Sequence, residues 1–136
     1  MSQNTDDFVA RAVTPGPMHH FFGYYGIQPW DATGRYLLCL EVPFQDRPPQ
    51  AKDKAIVGMV ELSSSKFIPL AETRAWNFQQ GAMMHWLPSA PDSEIIFNDR
   101  QGDRFISVIL NAHTGERRAL PRPISAMSHD GKTALS

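Results

Sequence analysis

Two segments of the sequence bring together side chains that can exchange protons or bind polar groups. One comprises residues 18–26, and the other comprises residues 74–81 with a short stretch after it. Histidine and tyrosine suit general acid–base chemistry, and a phenol ring can also stack on a ligand. Amides beside an arginine suit the recognition of hydroxyl and carboxylate groups. The candidate side chains are His19, His20, Tyr24 and Tyr25 in the first segment and Arg74, Trp76, Asn77, Gln79, Gln80, His85 and Arg100 in or after the second.

The first segment also permits a purely structural interpretation. His19 and His20 are adjacent, so in an extended chain they point in opposite directions and cannot jointly chelate one metal ion. The alternative for either is a hydrogen bond across the seam between neighbouring sheets. Tyr24 and Tyr25 are expected to alternate in the same way, which places one of them in the core.

The second segment leaves a similar choice open. Its amides either face a ligand or satisfy backbone groups in a buried crossover. Trp76 either packs in the interior or faces a ligand ring. Trp30 and Trp86 precede strands at equivalent positions, where packing between sheets is the stronger expectation.

Charged residues elsewhere are expected to be solvent-exposed. Residues 99–104 predict a charged hairpin tip around Gly102, from which Arg100 could still reach an anion. The other stretches expected to be exposed are residues 47–50 in a long loop, residues 52–54 and residues 117–118.

Composition narrows the function classes. The 136 residues are 42% hydrophobic and 20% charged, which predicts one globular domain without a membrane span. The 13 basic and 14 acidic side chains provide no excess of positive charge for nucleic acid. Cys39 has no cysteine partner and lies in an apolar run, which indicates a buried thiol in a reducing compartment. Residues 1–11 lack the pattern of a secretory signal, so a cytoplasmic location is predicted.

Short apolar runs must position these candidates. Residues 36–42, 55–62, 94–98 and 105–111 are rich in β-branched and aromatic side chains and are bounded by turn-forming residues, which predicts four strands. Residues 78–86 are the only stretch that could be helical, and Gly81 and Pro88 argue against it. The fold class is therefore predicted to be all-β.

An internal repeat refines this fold class. A turn followed by a strand recurs at residues 29–38, 86–97 and 127–135, and a hairpin recurs at residues 56–70 and 106–120. This alternation is typical of β-propeller blades. It predicts an incomplete propeller of two blades and the start of a third, from a truncated or excised product, with assembly of several copies as the alternative. The predicted divisions are a lead-in at residues 1–27, blade one at about 28–73, blade two at about 78–122 and the start of blade three at 123–136.

Particular motifs within this frame resemble a known family. They are MHHFFGYYG at residues 18–26 with PWD at 29–31, WNFQQG at 76–81 leading to WLP at 86–88, and IFNDR at 96–100. The chain is similar to the N-terminal part of β-propeller polysaccharide lyases of the oligogalacturonate lyase type. Relatives often continue the double tyrosine with Asp-Lys, whereas this chain has Gly26 and Ile27.

The resemblance implies eliminative cleavage of acidic, uronate-containing oligosaccharides. Such an enzyme must neutralise a carboxylate and place a base near the adjacent proton. The implied catalytic residues are His19, His20, Tyr24 and Tyr25, and the implied substrate-binding residues are Arg74, Trp76, Asn77, Gln79, Gln80, His85 and Arg100. A divalent metal of the manganese type is implied for later blades of a full-length parent, with no metal ligand in this chain, so these residues alone are expected to be inactive.

Two other function classes remain open at this point. The first is a non-catalytic propeller module that binds carbohydrate or protein. The second is a structural role in which several copies close one ring. The expected partners are accordingly an acidic oligosaccharide, the missing blades of a parent chain or further copies of this chain, with neither nucleic acid nor membrane.

Overall fold

The computed structural model describes residues 9–136, and the regular structure in this range is entirely β. Residues 1–8, which hold part of the predicted lead-in and most of the stretch without a secretory signal, lie outside the described range. Ten strands form three antiparallel sheets of four, four and two strands. The strands are β1 (His19–Phe21), β2 (Tyr36–Val42), β3 (Ala55–Glu61), β4 (Lys66–Thr73), β5 (His85–Trp86), β6 (Glu94–Gln101), β7 (Arg104–Asn111), β8 (Arg117–Leu120), β9 (Ala126–Met127) and β10 (Ala134–Leu135).

The all-β prediction is confirmed. The four predicted strands are present as β2, β3, β6 and β7, although β6 continues three residues beyond its predicted end. Residues 78–86 contain no helix, as Gly81 and Pro88 indicated. None of the described residues forms a helix long and apolar enough to cross a membrane.

The first sheet has the strand order β1-β2-β3-β4. Strand β1 pairs with the end of β2, with His19 opposite Val42 and Phe21 opposite Leu40. Within the predicted lead-in at residues 1–27, these three residues form an edge strand of the sheet. A strand this short has too few apolar positions to show a periodic pattern.

The second sheet repeats the plan of the first, with the order β5-β6-β7-β8. Its β7–β8 hairpin corresponds to the β3–β4 hairpin. Each of these hairpins is preceded by a turn between two short paired segments, and the same kind of turn occurs a third time between β9 and β10. The residues paired across the three turns are Trp30 with Leu37, Trp86 with Ile95, and Met127 with Ala134. The alternation of turns and hairpins predicted from the sequence is thus present.

One hydrophobic core joins the first two sheets. Leu38, Leu40 and Val42 of β2 pack in the same buried cluster as Phe97 and Val108 of the second sheet. A smaller cluster lies on the other side of the second sheet, where Leu87, Ile96 and Ile109 pack with Ile124; Met127 packs against it. Successive sheets are therefore connected by buried apolar side chains.

The first sheet has two further local features. Cys39 is buried and unpaired, as predicted, and burial raises the pKa of its thiol to about 12, with Glu41 adding to the shift. The edge strand β4 is bulged: Val57 pairs with Ala71 whereas Gly58 pairs with Pro69, so the register shifts by one residue.

Candidate functional site

The two distinctive segments of the sequence meet in the structure. The backbone at Gly23 lies directly against the backbone at Gly81. The contact is so close that a Cβ atom on either glycine would collide with main-chain atoms of the other segment. Next to this contact, the ring centroid of Phe21 lies 5.9 Å from that of Trp76 and 5.1 Å from that of Phe78. Glycine is required at this crossing because only a residue without a side chain permits so close an approach.

Asn77 organises the loop of residues 77–81. Its Oδ1 accepts hydrogen bonds from the backbone N–H groups of Gln79 and Gln80 at 3.0 and 2.7 Å. The backbones of Asn77 and Gly81 also exchange two hydrogen bonds, at 3.1 and 2.9 Å. The Asn77 amide therefore satisfies backbone groups rather than facing a ligand. The side chains of Gln79 and Gln80 make no hydrogen bond to the described residues.

Trp76 is packed in the interior. Only 8% of the residue is exposed, and its Nε1–H donates to the carbonyl oxygen of Asp53 at 3.0 Å. Its ring contacts Phe44 and Phe78 in addition to Phe21. The structure thus selects packing for Trp76, whose remaining exposed edge borders a pocket described below.

Residues 43–54 form a long loop, as predicted for residues 47–50, and its conformation is held by specific hydrogen bonds. The Arg47 guanidinium donates to both Asp53 carboxylate oxygens, at 2.7 and 3.1 Å, and lies 3.8 Å from the centroid of the Phe44 ring. The N–H of Gln50 donates to the same carboxylate at 2.7 Å. These bonds, the one from Arg47 foremost, lower the pKa of Asp53 from 3.8 to about 2. The Arg47–Asp53 pair thereby fixes the loop beside Trp76.

This loop, the 77–81 loop and the end of β6 enclose a pocket of about 430 Å³. Five of the predicted substrate-binding residues line it: Arg74, Trp76, Asn77, Gln80 and Arg100. The other lining residues are Pro49, Gln50, Ala51, Ala75, Gly81, Ala82, Met83, Asn98 and Phe105. The structure therefore brings together residues that are up to 26 positions apart in the predicted set.

A cationic depression of about 380 Å³ adjoins this pocket and shares Arg74 and Arg100 with it. It is also lined by Lys54, Arg117, Glu72, Thr73 and Asp99. Lys54 is paired with Glu72 at 3.1 Å, and the Asp99 carboxylate accepts the backbone N–H of Arg74 at 3.1 Å. Within residues 9–136, no carboxylate lies within 4.0 Å of the guanidinium groups of Arg74, Arg100 or Arg117. Three arginines thus line one depression without an ion pair to a described carboxylate, although Glu72 and Asp99 line it too.

The position of Arg100 corrects one prediction. Asp99 and Arg100 lie in β6, and the turn of the hairpin is formed by Gly102 and Asp103 alone. Arg100 is opposite Phe105 of β7, and its Nε atom is buried without a hydrogen-bond partner among the described residues. The sequence did single out Arg100, but it gave no signal for Lys54 and Arg117, because their approach depends on how the two sheets pack.

A third depression, also of about 380 Å³, extends the pocket in the other direction. It shares Gln80, Met83, Asn98 and Phe105 with the pocket and is otherwise lined by Tyr24, Pro123, Ile124, Ser125 and Ser136. Phe105 is 53% exposed. Because neighbouring depressions share lining residues, the three form one continuous surface, which we call the groove. Its cationic end is at Arg117 and its aromatic end is at Tyr24.

Tyr24 and Tyr25 do not alternate, so the prediction that one of them is a core residue is wrong. Their rings stack with centroids 5.1 Å apart and planes inclined by 19°, and Tyr25 is 91% exposed. The chain is turning rather than extended here, since the N–H of Ile27 approaches the carbonyl of Tyr24 at 3.4 Å. Of the pair, Tyr24 lines the groove.

The three candidate histidines do not line the groove. His20 Nε2 lies 2.8 Å from Glu41 Oε2 on the neighbouring strand, and its ring contacts Phe67; its neighbour His19 occupies the first position of β1. His85 Nδ1 lies 2.8 Å from the carbonyl oxygen of Met83, and burial lowers the pKa of this imidazole. The partner of His20 is therefore inside one sheet rather than across the seam between two. With Glu41, His20 lines a separate pocket of about 530 Å³, and its Nδ1 is buried without a hydrogen-bond partner among the described residues.

The two other tryptophans differ in their environments. Trp86 is buried, and its Nε1–H donates to the carbonyl oxygen of Pro29 at 2.9 Å, which confirms the expected packing between sheets. Trp30 is 41% exposed, so the expectation that it packs equivalently is wrong. The difference is one of position: Trp86 lies in the core shared by the two sheets, where the first unit covers it, whereas Trp30 lies outside that core.

The groove thus offers guanidinium groups, the side-chain amides of Gln50 and Gln80, and aromatic edges. These groups are suited to holding an anionic, hydroxyl-rich ligand. Across residues 9–136 there is no group of three or more His, Cys, Asp or Glu side chains that could hold a metal ion. No protein-family model, curated protein or solved structure matches the chain.

Proposed function

We propose that this chain binds acidic, uronate-containing oligosaccharides in the groove. The observation that carries the proposal is the convergence of Arg74, Arg100 and Arg117 at one end of it, with no carboxylate of the described chain within ion-pair distance. Neighbouring guanidinium groups repel one another, and an anionic ligand relieves that repulsion. The planar fork of arginine also matches the two oxygens of a carboxylate.

The shape of the groove favours an oligosaccharide over a small anion. Three adjoining depressions of about 430, 380 and 380 Å³ are connected by shared residues. A single carboxylate would occupy only the cationic end, whereas a chain of sugar rings would reach Gln80 and Phe105 as well. The free amide of Gln80 can bond to sugar hydroxyl groups, which commonly serve as both donors and acceptors.

A β-propeller fold is the architecture that we propose for this arrangement. Its support is the repetition of two four-stranded sheets in the same strand order, joined by one core, followed by a third unit that begins with the same turn. Parts of the motifs that resemble oligogalacturonate lyases border the groove, namely Tyr24, Trp76, Asn77, Gln80, Gly81, Asn98, Asp99 and Arg100. The proposed relationship to these lyases depends on that resemblance.

Eliminative cleavage is the second candidate function. Tyr24 favours it, because this phenol lines the groove and could move a proton there. The other three acid–base candidates, His19, His20 and Tyr25, do not line it. Binding without turnover is therefore better supported than catalysis by these residues.

The binding proposal is tested by calorimetric titration with trigalacturonate. We expect the Arg100→Gln and Arg117→Gln variants each to weaken binding by about three- to tenfold, as loss of one partly exposed ionic hydrogen bond would do. The matched control is Arg118→Gln, because Arg118 is adjacent on β8 but lines neither the pocket nor the cationic depression. Absence of binding by the unsubstituted chain, or an equal loss in the control, would contradict the proposal.

The cleavage proposal requires a separate measurement. If the chain is a lyase, saturating trigalacturonate will develop the ultraviolet absorbance of an unsaturated uronate, and Tyr24→Phe will abolish that signal while retaining binding. If trigalacturonate binds but no absorbance develops, cleavage by this chain is contradicted and the binding proposal still holds.

A further inference from the structure

We propose that the groove distinguishes its two ends, so that its ligand carries a neutral sugar ring next to an acidic one. The carboxylate of the acidic sugar lies at the cationic end, and the neutral ring packs between Tyr24 and Phe105 at the aromatic end. This inference rests on the proposed function and adds a substrate class to it: a mixed oligosaccharide of neutral and uronic residues.

The linings of the two ends differ in charge. Four of the seven residues that line the cationic depression are lysine or arginine. The residues that line the aromatic end include no lysine or arginine, so no cationic side chain faces a ligand there. A second uronate there would lose hydration without gaining a cationic partner, which costs free energy.

The aromatic end has groups that suit a neutral ring. Phe105 is half exposed, and Tyr24 lines the same depression, so both can cover the apolar C–H face of a pyranose. Gln80 provides an amide at its boundary with the central pocket. Asn98 is already engaged, since its side chain exchanges two hydrogen bonds with the backbone of Ile124, at 2.9 and 2.8 Å. The floor of the aromatic end is therefore fixed in place.

The register of the β6–β7 hairpin places the transition between the two ends. Arg100 and Phe105 are directly opposite each other, and cross-strand partners present their side chains on the same face of a sheet. Arg100 borders the central pocket and the cationic depression, whereas Phe105 borders the central pocket and the aromatic end. The change from cationic to aromatic lining thus occurs across one pair of adjacent residues.

The test compares two ligands on matched variants by calorimetry. The ligands are a disaccharide of glucuronic acid joined to xylose, and glucuronic acid alone; binding of digalacturonate to the unsubstituted chain is the fully acidic comparison. Phe105→Ser is expected to weaken binding of the disaccharide by about three- to tenfold, as loss of a stacked ring would do, and to leave the affinity for glucuronic acid unchanged. The control is Trp30→Ser, which removes a partly exposed ring that does not line the groove.

The outcomes distinguish the two-ended groove from the binding of acidic oligosaccharides on which it rests. If Phe105→Ser changes neither ligand, or weakens both equally, the two-ended groove is wrong even where Arg100→Gln still weakens binding. Tighter binding of digalacturonate than of the mixed disaccharide would also overturn it. If glucuronic acid, the disaccharide and trigalacturonate all fail to bind, the failure belongs to the proposed function itself.

Discussion

Gly81 places the 77–81 loop against the first segment of the chain. Its φ of +59° lies in the left-handed region, where a side chain is unfavourable, and its Cα faces the carbonyl oxygen of Phe22. Both the backbone conformation of Gly81 and its contact with Phe22 therefore require a glycine. Gly102 separates the two requirements, because it has a similar φ of +61° but no described atom within 4 Å of the position that a Cβ would take.

We expect Gly102→Ala to lower the free energy of unfolding by about 1 kcal/mol, which is the cost of the left-handed conformation alone. Gly81→Ala is expected to cost several-fold more, because its methyl group must also displace the Phe22 backbone, and to weaken trigalacturonate binding. Urea denaturation and calorimetric titration measure the two effects. Equal losses of stability would show that the close contact with Phe22 is unimportant.

Residue types could be predicted from the sequence better than their environments. Arg74, Gln80 and Arg100 were identified as binding residues and do line one pocket. Trp76 was chosen by the same reasoning, yet it is packed with its N–H satisfied by Asp53. A ring of this size is compatible with either environment, so only the loop that covers it decides between them.

At the scale of elements, the loop of residues 43–54 depends on one ion pair. The Arg47 and Gln50 hydrogen bonds hold the pKa of Asp53 at about 2, below its ordinary value of 3.8. A lowered pKa means that the folded loop stabilises the ionised carboxylate. The contribution is therefore complete above about pH 4 and is lost as the pH falls through about 2.

Substitution of Arg47 by glutamine should move the titration of Asp53 back toward 3.8. It should also weaken ligand binding at neutral pH, since Pro49, Gln50 and Ala51 form one wall of the pocket. Carbon-13 NMR of the Asp53 carboxyl group measures the midpoint. Arg35→Gln is the control, because Arg35 lies 4.0 Å from Glu61 on the first sheet and has no contact with this loop. An unchanged midpoint in Arg47→Gln would refute the role assigned to the pair.

Strands with a long apolar run were predictable, as was the strand after the turn at residues 127–135, whereas β1, β5 and β9 were not. The runs that became β2, β3, β6 and β7 each bury several β-branched or aliphatic side chains, which leaves a clear apolar pattern. Strands β1, β5, β9 and β10 have two or three residues. Strands β1 and β5 pair with the long strands β2 and β6, whereas β9 and β10 pair with each other. Which segment supplies the hydrogen-bond partners is not visible in so short a run.

At the scale of the whole molecule, the first two sheets depend on one core. Phe97 is fully buried in the cluster that also contains Leu38 and Val57 of the first sheet. Thr73 adds a polar link, since its hydroxyl donates to the carbonyl oxygen of Asn98 at 2.6 Å. The 50-residue step between the two hairpins predicted two similar units, but which faces share a core emerges only from their packing.

Phe97→Ala is expected to destabilise both sheets together, by about 3–5 kcal/mol. Hydrogen exchange of the Leu38 amide in β2 and the Val108 amide in β7 should show the same loss of protection. Ile96→Ala is the matched control, because Ile96 belongs to the cluster beside the third sheet and its loss should chiefly affect Ile124 and its neighbours. Selective loss of protection in β7 after Phe97→Ala would mean that the sheets unfold independently.

Pro69 has a further consequence for the behaviour of the protein at high concentration. Strand β4 is the outer strand of its sheet, and an open edge is a template on which the strands of other molecules can grow into aggregates. Proline has no N–H to donate, and the bulge beside it shifts the register of the edge. Lys66 and Glu72 add charges along the same strand. This edge is thereby a poor seed for fibril-like assembly, even though the strand is eight residues long.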